Sequence, residues 1–115
     1  MEPVETALQK FESLVAKGDE HCGRKEFPQA ESFYRDALTA LPEGFGAKKR
    51  LAHLQLRLAS LYEALDQPDQ VRAYLSQAIE TLSLLKGPSH PVVLELKTYL
   101  EHARNIPHPD SLGRL

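Results

Sequence analysis

Apolar residues between Val4 and Val15 fall at Val4, Leu8, Phe11, Leu14 and Val15, in steps of four, three, three and one. Steps of three and four keep side chains on one face of an amphipathic helix. A break over 23–26 separates this helix from "FPQAESFYRDALTALPE", where a second helix is predicted over 28–41. Pro28 suits a first helical turn, and Pro42 ends the helix because proline disfavours helical geometry in the residue before it. Leu51, Leu54, Leu58, Leu61, Tyr62 and Leu65 mark a third helix over 47–65. "DQPDQ" is then a turn, with Asp66 as a cap and Pro68 in the next first turn. The fourth helix runs to about Lys86 and stops at "KGPSHP", where Gly87 is expected in the left-handed C-terminal position and Pro88 blocks continuation. Pro91 opens a fifth helix, whose Val92, Val93, Leu96, Tyr99, Leu100 and Ala103 share a face. No segment carries a convincing strand pattern, so the fold class is all-α, with short turns making successive helices antiparallel neighbours.

The chain also repeats itself. A shift of 41 residues brings Gly18 onto Ala59, Ala30 onto Val71, Tyr34 onto Leu75, Ala37 onto Ala78, Leu38 onto Ile79 and Leu41 onto Leu82. Small residues meet small ones and large meet large. A further step takes Leu58 to Tyr99, Ala59 to Leu100 and Leu61 to His102, where the likeness decays. Self-similarity at one offset in helix-turn-helix units is the signature of a helical solenoid. Small residues at fixed positions let helices approach closely, while large ones fill the spaces between. Ala30 and Ala37 are therefore close-approach positions, Tyr34 the knob between them, and Pro42 the stop.

On these residues the chain resembles the tetratricopeptide repeat family. The family's small, aromatic, small, aromatic, alanine and proline positions hold Gly18, His21, Ala30, Tyr34, Ala37 and Pro42 in the first unit. In the second unit they hold Ala59, Tyr62, Val71, Leu75, Ala78 and Ser83. His21 departs from the pattern, and so does the period, since the family's common unit is about 34 residues. The longer period and "LKGPSHPVV" are similar to kinesin light chain repeats. The resemblance implies a right-handed helical solenoid in a single domain over 1–104. Two units, about 4–42 and 46–86, would be followed by a capping helix over 91–104 that covers the last exposed face. Residues 105–115, with two prolines and a glycine, are expected to form a flexible tail.

Composition narrows the function. At 115 residues, 42% hydrophobic and 26% charged, the chain is one ordinary globular domain. A formal net charge of −2 gives no basic surplus for nucleic acid or an anionic membrane. No apolar run is long enough for membrane insertion as a helix. The start, "MEPVETALQKFESLV", has no basic region and no long apolar stretch, so no secretory leader is expected. With the lone Cys22 unable to form an intrachain disulfide, a cytoplasmic location is expected, the nucleus remaining open. His21 and Cys22 are adjacent and point about 100° apart on a helix, so they do not chelate one metal together. The sequence has no HExxH, no paired CxxC and no glycine-rich phosphate loop. His90 and His108 precede prolines and read as turn or cap residues. The expected function is non-catalytic, with no cofactor and no metal.

In the tetratricopeptide family the first helix of each unit lines a concave groove that receives a peptide or helix. By register those positions are Glu12, Val15, Asp19 and Cys22, then His53, Leu56, Ser60 and Glu63, then Lys97, Glu101 and Arg104. Members that clamp the acidic tails of heat-shock chaperones use a lysine and two asparagines, where this chain has Val15, Asp19 and Arg57. Asp19 would repel such a carboxylate, so a mixed-charge or partly basic ligand is expected instead. Leu56 lies off the main apolar stripe of its helix and marks either a wider core or a contact site. The resemblance thus implies a protein-interaction adaptor. The alternative is a structural subunit that self-associates, or stacks on a larger assembly, through its end faces.

Overall fold

The computed structural model describes residues 6–105. Five helices follow in order: α1 (Ala7–Gly23), α2 (Phe27–Thr39), α3 (Ala47–Ala64), α4 (Pro68–Lys86) and α5 (Pro91–Asn105). Among the described residues there is no strand. Each helix packs on the next, most extensively within the hairpins α1–α2 and α3–α4. The expected helical start at Val4 and the expected C-terminal tail lie outside the described residues, apart from Asn105, which closes α5.

Thr6 caps α1 through a capping box. Its hydroxyl accepts from the Gln9 backbone N–H at 3.1 Å, and the Gln9 side chain accepts from the Thr6 N–H at 2.9 Å. The two hairpin turns are then the same structure twice. The Glu26 N–H donates to the His21 carbonyl and the Lys25 N–H to the Cys22 carbonyl. One unit later the Gln67 N–H donates to the Tyr62 carbonyl and the Asp66 N–H to the Glu63 carbonyl. Both are Schellman closures, which require positive φ at the penultimate position. Lys25 (φ 62°) and Asp66 (φ 55°) supply it without being glycine.

That geometry corrects the expected role of Asp66. It ends the α3 turn and does not cap α4, whose N-cap is Gln67 with no side-chain cap bond. Two further boundaries differ. α2 stops at Thr39, two residues short of Leu41, because Pro42 excludes Leu41 from helical geometry and Ala40 has already left it. Gly87 has positive φ (95°) but an extended ψ (149°), so it is not left-handed helical. Pro88 again pushes the residue before it out of the α region. At the start of α5, His90 does act as a cap, its Nδ1 accepting from the Val92 N–H at 3.2 Å.

The small residues sit where the repeat pattern puts them. Ala30, Ala37 and Ala78 are fully buried, and Ala59 nearly so. A methyl group on Gly18 would enter the Tyr34 ring, so the glycine is what lets that ring lie against α1. The equivalent pair in the second hairpin, Ala59 and Leu75, exchanges the aromatic for a smaller side chain and regains the methyl. His21, the departure from the aromatic pattern, stacks on Phe33 with centroids 5.2 Å apart, as Tyr62 stacks on Tyr74 at 5.7 Å. One core cluster runs from Phe11 to Leu75. A second joins Ala52, Ile79, Leu82 and Val93, and Leu56, Leu96 and Leu100 pack against both.

Candidate functional site

α3 is the most enclosed helix, with Ala52, Leu54, Gln55, Leu58, Ala59, Leu61 and Tyr62 all buried. Beyond its first turn, the solvent-facing side of α3 carries a stripe of His53, Leu56, Arg57, Ser60 and Glu63. At about 100° per residue these five span roughly a third of the helix circumference. Each edge of the stripe is tied to another helix. The Arg57 Nε donates to both Asp19 carboxylate oxygens on α1, at 3.0 and 3.3 Å. On the opposite edge the Tyr99 hydroxyl of α5 donates to Glu63. The odd-numbered helices therefore reach one another across a shared face.

Between α1 and α3 this face deepens into a cleft of about 290 Å³. Its floor is apolar, made by Phe11, Val15, Ala16 and Leu54. Glu12 and Asp19 rise from α1, and Arg50, His53 and Arg57 from α3. Asp19 is engaged twice, because the buried Tyr34 hydroxyl also donates to it. Burial and that bond push the Tyr34 phenol well above its ordinary range. The Tyr99 phenol is likewise pushed up to about 12, mainly by its bond to Glu63 and then by burial. His53 holds its proton less tightly than an ordinary histidine, through partial burial first and then the charges of Arg57, Lys49 and Lys86. With Asp19 already neutralised, the open polar groups are Glu12 on one wall and His53 and Arg50 on the other. Such a site accommodates one apolar side chain flanked by groups of either charge; its volume is at the small end for ligand pockets.

Five of the sequence-predicted groove residues, Glu12, Val15, Asp19, His53 and Arg57, come together in this cleft. Ser60 and Glu63 continue the stripe toward α5. Leu56 is half-buried and packs against both core clusters while sharing the solvent-facing stripe of α3. Cys22 is likewise half-buried and packed on the first cluster. Lys97 and Glu101 are exposed but lie about 160° around α5 from Tyr99, the residue that reaches α3. They lie on the other flank of α5 from the one by which Tyr99 reaches Glu63. The side chain of Arg104 lies outside the described residues. Sequence reasoning missed Arg50, although its spacing of three to His53 and seven to Arg57 puts it on the same face.

Among the described residues no group of three or more His, Cys, Asp and Glu side chains is placed to hold a metal ion. None of the described helices is long and apolar enough to cross a membrane. No family model, no curated protein and no solved structure matches this chain.

Proposed function

We propose that this protein is a non-catalytic adaptor of tetratricopeptide type, a right-handed helical solenoid that holds a partner peptide or helix along the face shared by α1, α3 and α5. The observation that carries this reading is the α1–α3 cleft, an apolar floor with mixed-charge walls on the helices that line the groove in that family. The repeated turn hydrogen bonds and the repeated ring stacks support the same reading, because they make the hairpins equivalent units at a constant offset. The ligand places one apolar side chain over Phe11 and Leu54 and presents mixed charge to Glu12, Arg50 and His53. A chaperone-tail carboxylate suits it poorly, since Asp19 lies in the way and occupies Arg57.

Selection from a random-peptide library tests this. Peptides enriched on the protein should lose about tenfold or more in affinity against Glu12→Arg and His53→Glu. Asp36→Arg, on the outer surface of α2, should leave affinity unchanged. Peptides indifferent to the two cleft variants, or sensitive to the α2 variant, contradict the groove reading. All three positions are exposed, so the substitutions leave the fold intact.

A further inference from the structure

One end of the molecule gathers the α2–α3 connection, the start of α3, the end of α4 and the start of α5, which the Ala52, Leu82 and Val93 contacts hold together. At its tip Phe45 stands between Gly44 (φ 100°) and Gly46 (φ 82°). Its side chain is 101% exposed, so nothing in the described chain covers it. Leu84, Leu85 and Val92 are also exposed at this end.

The charges around that tip are mainly cationic, with Glu43 and Glu95 the acids of the same segments. Lys48, Lys49 and Arg50 occupy the first turn of α3, and Lys86 closes α4. Among the described residues no carboxylate lies within ion-pair distance of any of these four. Arg24, Arg35, Arg57 and Arg72 do have carboxylate partners, whereas Lys10, Lys17, Lys25 and Lys97 have none either; what marks the tip is that four such cations lie together beside Phe45. The Arg50 guanidinium instead donates to the Phe45 carbonyl at 3.1 Å and braces the tip. Glu43 is the acid nearest in sequence. His53, one turn further along α3, registers the field of Lys49 and Lys86.

Neither feature serves folding. Cations in a first helical turn oppose the positive end of the helix dipole, and α3 has no side-chain cap to offset them. A bare phenylalanine gains nothing from the native state. Both gain from a negatively charged surface that admits an apolar ring. Phe45 projects fully into solvent, with cations on the adjoining turns of α3 and α4. A fluid interface meets that shape without a matching hole, whereas a folded protein must supply one.

We propose that this end docks on an anionic lipid surface, with Phe45 entering the boundary between headgroups and acyl chains and Lys48, Lys49 and Lys86 facing the headgroup charges. This is contact at the interface and not a span. Arg50 borders both this end and the cleft between α1 and α3, but Phe45, Lys48, Lys49 and Lys86 lie outside the cleft lining.

Co-sedimentation with vesicles of phosphatidylcholine containing phosphatidylserine, compared with phosphatidylcholine alone, tests the proposal. The protein should sediment with the anionic vesicles only, and less as salt is raised. The double variant Lys48→Glu/Lys49→Glu should weaken partitioning by more than about tenfold, and Phe45→Ser by several-fold. These three residues are exposed, so circular dichroism and melting temperature should not change. Equal sedimentation with both vesicle types, wild-type binding by Phe45→Ser, or no sedimentation at low salt overturns the assignment. Absence of vesicle binding together with Phe45-sensitive binding to polyglutamate would assign the end to an acidic protein instead.

Discussion

Single side chains explain two differences between the first unit and the second. Gly18 is smaller than its counterpart Ala59 because Tyr34 is larger than Leu75, so the pair conserves volume where neither residue does. His21 does the work of an aromatic, with a flat ring stacked on Phe33 and Nδ1 at 2.9 Å from Glu26. From sequence, His21 read as a loss, because a pattern of residue types does not show that an imidazole face packs like a phenyl one. His53 carries a pH prediction. Its folded pKa lies below the unfolded value, so its neutral form is the favoured native state. No cost arises above about pH 6.5, and stability falls as pH drops from there through the folded value. Two-dimensional NMR should place its midpoint below that of an unstructured histidine. Lys49→Gln should move the midpoint back up, and a midpoint at or above the unstructured value contradicts the field described around α3.

Among the elements, helix existence and type were legible because apolar spacing and proline positions agreed. Ends were less legible. Asp66 looked like a cap because aspartate favours that position, yet the tertiary need was for a left-handed residue one step earlier, and aspartate tolerates that as well. Lys25 occupies the equivalent place in the first turn with no such tolerance. Lys25→Gly should therefore stabilise the protein by about 0.5–1 kcal/mol, the left-handed penalty less the extra chain entropy of glycine. Urea denaturation reads this directly. A loss of stability would mean that the Lys25 side chain contributes something its exposed position does not show.

For the whole molecule, a net charge of −2 concealed an uneven distribution. Lys48, Lys49, Arg50 and Lys86 gather at one end beside Phe45, and a chain-wide sum cannot register where charges gather. The groove was legible in part. Register placed Glu12, Val15, Asp19 and His53 together, while Lys97 and Glu101 lie on the flank of α5 away from Tyr99, after a connection shorter than that between α2 and α3. Leu56 packs on both core clusters yet stays partly exposed, because α3 is enclosed on more sides than a two-helix pattern reveals.

The central claim is that the face shared by α1, α3 and α5 is where a partner lies, and site-specific photocrosslinking in cells tests it most directly. A crosslinking residue at His53 or Ser60 should yield discrete covalent adducts with a partner, and the same residue at Asp36 on the outside of α2 should yield none. Adducts at Asp36 alone, or equal adducts at all three positions, would contradict the account.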